Sequence, residues 1–300
     1  MNAATLAVAV LYYPAKAGAA VLAEHIAAEL PRIGAATAPT TTARALSLQG
    51  LESAALRGYT HAIVVGGDGS ILGAARLCAP LGIPVLPVQL GRLGLLAEVE
   101  AQDIGTALPH YLRGECWRDA RLMLAATLDA PEGGQGAETG EDGGIPALNE
   151  VVVARGVSSG PIRVDIAFGG RPYGTVWADA LIVATPTGSS AYTRSAGGPI
   201  IHPAVASLSL TAVAPQSGPP QILVIPADET VELHVTTDAH DWVLLADGLV
   251  HSQLPSGTTV TVRRAPHDAI FLRRGDRYRL QRRLRDLLVG NPRPRLGASG

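Results

Sequence analysis

Lysine is all but missing from this chain of 300 residues: Lys16 is its only one, and every other fixed cation is arginine. Lys16 is not in a G-x-x-x-x-G-K context, which excludes a Walker A loop. No V-A-I-K strand is present, which argues against a protein kinase. Any phosphate chemistry must then rely on backbone amides, arginines and a metal ion. Cysteine is nearly as scarce. Cys78 and Cys116 are the only two, and neither sits in a ligand-like spacing, so a disulfide framework or a zinc site is not expected. Two reduced thiols in a cytoplasmic protein is the plain reading. Gly-x-Ser-x-Gly and H-E-x-x-H are both absent, so no hydrolase elbow or zincin helix is supported. Charge of either sign is not in excess: the formal net charge is -2. Nothing global favours a nucleic-acid or membrane-surface partner. The apolar run at residues 3–11 has no basic residue before it and is too short to cross a bilayer. It reads as a buried strand.

What is abundant is apolar residue, 47% of the chain. That is enough for one large or two ordinary domains with real cores. Up to about residue 118, short apolar runs alternate with helical spacing. Residues 6–11, 61–65 and 85–88 read as strands. Residues 19–30, ended by Pro31, and 71–78, stopped by Pro80, read as helices. This pattern predicts an α/β domain over 1–118, Rossmann-like, with a parallel sheet covered on both faces. From about residue 120 strand patterns dominate, at 121–128, 148–155, 162–168, 180–184, 209–214, 230–235, 243–246 and 258–262. They predict a β-rich domain over 119–272. Within it, residues 131–144 are rich in Gly and Glu and cannot bury a core, which predicts a mobile loop. Residues 273–288 place leucines at helical spacing among arginines. An amphipathic C-terminal helix packing back on the first domain, with a solvated arginine face, is expected, followed by a tail to 300.

Four segments carry chemistry. The first is Gly66-Gly67-Asp68-Gly69-Ser70, between a strand and a helix. Gly66, Gly67 and Gly69 let the backbone turn tightly and approach a ligand, and with Ser70 they form a phosphate loop at a helix N-terminus. Asp68 would repel phosphate, so it makes sense beside a hydroxyl proton or a metal ion. The same residues also suit a plain turn in which Asp68 and Ser70 cap the helix. The second, residues 89–96, follows the strand at 85–88 and lies at a strand carboxyl end, where α/β ligands bind. Arg92 there is either a phosphate contact or a surface arginine. The third is Asn149-Glu150, an amide and a carboxylate at the head of a strand. They meet one ligand only if the strand opens with a twist or bulge; otherwise they form a solvated edge. The fourth runs from Asp179 through a buried strand into Thr185-Pro186-Thr187-Gly188-Ser189-Ser190-Ala191-Tyr192 and on to Ser195. Such a run of small hydroxyl residues suits ribose and phosphate, and Tyr192 could stack on a base. An elaborate turn is the other reading.

Taken together, residues 66–76 (GGDGSILGAAR), 84–99 (PVLPVQLGRLGLLAEV), 147–155 (ALNEVVVAR) and 179–203 (DALIVATPTGSSAYTRSAGGPIIHP) resemble the NAD kinase family in order and spacing. GGDG alone is also similar to the loop of diacylglycerol and sphingosine kinases and of phosphofructokinases; the Thr-Pro-Thr-Gly-Ser-Ser-Ala-Tyr segment is the specific one. The resemblance implies phosphoryl transfer from ATP, or in some members polyphosphate, to the 2′-hydroxyl of the adenosine ribose of NAD, giving NADP. It implies Asp68 as the catalytic acid-base residue, with Gly69 approaching the same nucleotide. Asn149 and Glu150 would hold NAD, with Asp179 near the nicotinamide end. Ser190, Ala191, Tyr192 and Ser195 would wall the adenine and ribose pocket. A Mg²⁺ or similar divalent ion and a homodimer or homotetramer are also implied; no residue is assigned as a metal ligand. Departures from the family pattern are Gln89 where Asn is usual, Gly160 where His or Arg is frequent, Ser217-Gly218-Pro219-Pro220 for a Ser-Leu-Ser-x-Arg-Pro stretch, and Leu249 where Gln is common. They bear on peripheral contacts and on NAD against NADH preference. The alternatives are a small-molecule or lipid kinase with the same loop type and a non-catalytic nucleotide sensor.

Overall fold

The computed structural model describes residues 6–37, 40–91, 94–130, 144–156, 160–218, 222–236 and 242–275. Arg92, residues 131–143 and the expected C-terminal helix beyond Gly275 lie outside the described residues. The chain divides into two compact units. One gathers the residues up to Ala74, Pro84–Asp119 and the stretch from Phe271; the other gathers Ala75–Ile83 and Ala120–Ile270.

The first unit is built on a parallel sheet. Strand β1 (Leu6–Tyr12) leads into helix α1 (Ala19–Thr37) and then β2 (Thr41–Ser47). After β2 come β3 (His61–Gly66), helix α2 (Asp68–Cys78), β4 (Val85–Gln89), the two-residue β5 (Val99–Glu100), helix α3 (Ile104–Leu112) and β6 (Trp117–Arg121). Strand β1 pairs in parallel with both β2 and β3, and β3 pairs in parallel with β4. The chain therefore steps from β1 to one side and then to the other. That reversal makes a crevice beyond the carboxyl ends of β1 and β3, the place where open α/β sheets bind ligands. Every residue of β3 after His61 is buried, as expected of a central parallel strand. Helix α1 does not stop at Pro31; it continues to Thr37. A proline removes one intrahelical bond, but packing of the last turns on β2 offsets that loss. Gly34 shows how close the packing is, since a Cβ there would lie 2.8 Å from the Thr41 Cβ.

The second unit is a sandwich of two six-stranded sheets whose neighbouring strands pair antiparallel. Its strands are β7 (Leu124–Asp129), β8 (Ile145–Ala147), β9 (Glu150–Arg155), β10 (Ile162–Phe168), β11 (Arg171–Ala178) and β12 (Ala180–Ala184). The single-turn helix α4 (Tyr192–Ser195) precedes β13 (Ser207–Val213), β14 (Ile222–Pro226), β15 (Val231–Val235), β16 (Trp242–Ala246), β17 (Leu249–Leu254) and β18 (Thr259–Arg264). The sheet orders are β11-β10-β15-β18-β7-β8 and β14-β13-β12-β9-β16-β17. Inner faces of both sheets, including Leu124, Val151, Val153, Val164, Leu181, Leu233, Trp242 and Leu244, form one core. Each fully buried aliphatic side chain of this kind contributes about 1.5–3 kcal/mol. Strands β9 and β12 are buried on their outer face too. Val152, Ala180, Ile182 and Ala184 form a second cluster there, and Ala196, just past α4, packs against it. This second cluster is why both strands read as unbroken apolar runs.

The chain finally returns to the first unit. Strand β19 (Ala269–Arg273) pairs in parallel with β4 and completes the order β2-β1-β3-β4-β19-β6.

Candidate active site

In the first unit the glycine loop leaves β3 and turns directly into α2, which begins at Asp68. The first helical bonds run from the Ser70 and Ile71 N–H groups to the Gly67 carbonyl. Asp68 is thus in the first turn, where the helix dipole favours a carboxylate. Its side chain does not cap its own helix. The Leu95 N–H donates to one carboxylate oxygen at 3.1 Å and the Leu96 N–H to the other at 3.3 Å. Gly94 permits this approach, because a Cβ there would lie 2.5 Å from the Asp68 carboxyl carbon. The Gly94 N–H in turn donates to Gln89 Oε1 at 3.3 Å. Ser70 is buried, packed so close to Gly66 that a Cβ on the glycine would fall 2.5 Å from the serine Cβ. Gly69 is exposed. The loop also has a cation beside it: a Cβ on Gly67 would lie 3.7 Å from Nζ of Lys16 and 3.8 Å from Nε2 of Gln89. The expectation of a glycine loop with no lysine beside it is therefore corrected. Lys16 follows β1 on the facing side of the crevice, a relation that only the strand order reveals.

In the second unit Asn149 and Glu150 stand where β8 passes into β9. A third residue organises them. Asp247 accepts the Leu148 N–H at 2.9 Å, the Asn149 N–H at 2.7 Å and the Glu150 N–H at 3.4 Å. Asp247 and Gly248 have φ of 50° and 78°. These are the left-handed values that a two-residue hairpin turn requires, here joining β16 to β17. Arg76 lies 3.9 Å from the Asp247 carboxylate. The sequence signal for Asp247 is its Asp-Gly pair directly after the strand pattern at 243–246.

Glu150 is 7% exposed and its Oε2 has no hydrogen-bond partner. Burial pushes its carboxyl up to about 7; the Asp247 charge adds to the rise, and the Tyr192 N–H opposes it. Burial also raises Asp247, against the three amides and Arg76. The sign for Glu150 is definite. Between the ordinary 4.5 and about 7 the folded protein keeps a proton that the unfolded chain releases. That stabilising contribution is complete below the ordinary value and is lost as pH rises through 7. Glu150→Gln should therefore flatten the decline in stability between about pH 5 and pH 8. Urea midpoints of both proteins at the two pH values test this, and equal declines would remove Glu150 as the source.

The hydroxyl-rich loop spends most of its donors on itself. Thr185 Oγ1 donates to the Leu148 carbonyl at 2.7 Å and accepts the Gly188 N–H at 3.0 Å. Ser189 Oγ donates to the Pro186 carbonyl, and Ser190 Oγ donates to the Thr187 carbonyl at 3.0 Å. The Thr185 N–H reaches the Asn149 carbonyl at 2.9 Å, so the third and fourth sequence segments are tied together. Their number of small hydroxyl residues is explained in good part by this internal bonding. Tyr192 and Ser195 are exposed on α4 and Ala191 is half-buried. Asp179 pairs with Arg155, 3.3 Å from its Nε, with both side chains partly exposed.

A glycine loop at a sheet switch point, an acid on the following helix turn and an adjoining lysine make an α/β arrangement of the kind suited to a phosphate. Comparisons with known proteins are specific. A family model described as the ATP-NAD kinase N-terminal domain matches residues 10–116, and one described as the ATP-NAD kinase C-terminal domain matches residues 148–274. The NAD kinase of Heliobacterium modesticaldum is 41% identical over 222 residues, 74% of this chain and 76% of its own length. That of Dehalococcoides mccartyi is 32% identical over 284 residues, 95% of this chain and 96% of its own. The crystal structure of yeast NADH kinase complexed with NADH superposes with a TM-score of 0.78 at 19% identity, covering 98% of this chain and 90% of that one. An NAD kinase from Archaeoglobus fulgidus in complex with ATP gives 0.70 at 21% identity, covering 92% and 96%. At those identities the two structures speak for the fold alone. The chain belongs to the NAD kinase family and is a phosphotransferase.

Proposed function

We propose that the protein transfers the γ-phosphoryl group of ATP to the 2′-hydroxyl of the adenosine ribose of NAD, giving NADP. The observation that carries this reading is the match of both halves of the chain to the family. Phosphoryl transfer needs positioning and charge neutralisation more than covalent chemistry. Asp68 is the proton acceptor, acting within about 2.6–3.2 Å of the hydroxyl. Gly66, Gly67, Gly69 and Ser70 receive phosphate, with Lys16 as the cation beside them. Asn149 and Glu150 hold NAD, Asp179 serves its nicotinamide end, and Ser190, Ala191, Tyr192 and Ser195 wall the adenine and ribose.

A Mg²⁺ ion fits this donor set as a guest of the substrate. Mg²⁺ takes one or two carboxylates and fills its other positions with phosphate oxygens and water. Asp68 is the carboxylate at the loop, and among the described residues no group of three or more His, Cys, Asp or Glu could hold a metal ion. When bound, the ion neutralises charge on the transferring group. A homodimer or homotetramer is supported by apolar residues exposed on both outer strands of one sheet, Ile222 and Val224 on β14 and Leu249 and Val250 on β17. A cytoplasmic setting is supported by the two free thiols, Cys78 and Cys116. No helix among the described residues is long and apolar enough to cross a membrane.

The test is an activity matrix with ATP or polyphosphate as donor and NAD or NADH as acceptor, each with Mg²⁺. NADP from NAD and ATP is the expected product. No phosphorylated dinucleotide in any combination would sink the proposal.

A further inference from the structure

The Asp68 carboxylate accepts from the Leu95 and Leu96 amides, and both residues lie outside any helix or strand. Gln89 meets this stretch at Gly94 and the Pro87 carbonyl meets it at Glu98, and a further anchor comes from the far end of the chain. Arg273 ends β19 and is 6% exposed, not the first residue of an amphipathic helix as the arginine and leucine spacing predicts. Its Nη1 donates to the Leu96 carbonyl at 2.6 Å. Its Nε donates to Asp119 Oδ2 at 3.0 Å, and Nη1 lies 3.6 Å from Glu98 Oε2. The guanidinium sits 5.0 Å from the centre of the Phe271 ring. Glu98 is tied down as well, accepting the Arg274 N–H at 3.1 Å. The planar fork is thus anchored on two carboxylates and an aromatic face, and one arm is directed at a peptide oxygen.

We propose that Arg273 is a positioning residue for Asp68: by holding the Leu96 carbonyl it restrains the adjoining backbone, whose Leu95 and Leu96 N–H groups aim the carboxylate. The proposal rests on the reading of Asp68 as the proton acceptor. Arginine is required because one rigid fork must reach Asp119 and Leu96 at once, and a lysine ammonium on a flexible stem cannot do so with the same geometry. A role confined to neutralising Glu98 and Asp119 would be met by any buried cation.

The experiment compares Arg273→Lys, Arg273→Met and Asp68→Asn in the full chain, measuring kcat, KM for NAD, NAD binding stoichiometry and Tm. In Arg273→Met, kcat per NAD-binding site should fall about 10²-fold, the scale of an ångström misplacement, while KM for NAD stays within about twofold. Arg273→Lys should recover most of the lost Tm and little of the lost kcat. Should Arg273→Met not fold, Arg273→Lys decides alone: a stable protein with impaired kcat supports the proposal. Turnover that returns with Tm in Arg273→Lys overturns it. Full activity in Asp68→Asn overturns the reading beneath it instead.

Discussion

Asp68→Asn should lower kcat by about 10²–10⁴-fold, the range that a positioned acid-base group supplies, while calorimetry still records NAD binding. The exchange turns one carboxylate oxygen into an NH₂ donor. Since the Leu95 and Leu96 N–H groups each use a different oxygen, one of them then faces a donor. An unmet amide of this kind costs about 1–3 kcal/mol. A modest fall in Tm therefore accompanies the loss of turnover, and activity must be expressed per NAD-binding site. Wild-type kcat in this variant would remove Asp68 from the chemistry.

The second large effect is expected at Gly188. A Cβ there would lie 2.5 Å from the Asn149 carbonyl carbon and 2.7 Å from its Cα. These are backbone atoms, pinned by Asp247 on one side and Thr185 on the other. No side-chain rotation relieves the overlap. Gly188→Ala should cost about 3 kcal/mol or more, at the upper end for overpacking. For a unit of this size that lowers Tm by about 6–12 °C. Because the displaced backbone carries Asn149 and Glu150, NAD affinity should fall with it. Unchanged Tm and affinity would mean that the loop and the Asn149 backbone are free to separate.

The two effects also mark what a sequence discloses. Residues that sit in a motif stand out as candidates: Asp68 in its glycine loop, Asn149-Glu150 at a strand head, and Tyr192 in its hydroxyl-rich run. Their supports do not. Gly94, Lys16, Asp247 and Arg273 act across long stretches of chain, and nothing in their neighbours' spacing reports a partner so far away. The fold shows the same division. Buried central strands such as β3, β9 and β12 announce themselves as apolar runs. Strands β2, β11, β14 and β17, all at sheet edges, went unread, and so did the interior β19, whose short apolar run abuts an arginine-rich stretch. An edge strand has half the neighbours and tolerates polar residues, proline and glycine; β11 contains both Pro172 and Gly174. Pro31 misled in the opposite direction, because tertiary packing on β2 outweighs one missing helical bond.

The late return of β19 bears on how the chain is made. Ribosomes release it from the N-terminus, and domains form in that order when their segments are contiguous. Here the first sheet stays open between β4 and β6 until residues 269–273 have emerged. The sandwich has all its strands by Arg264. The unit that begins the chain is therefore the last to be closed, and an exposed strand edge persists through most of synthesis. Until then the Leu96 carbonyl has no arginine, and a nascent chain cut short before Arg273 would carry every recognisable motif without the guanidinium that meets this carbonyl.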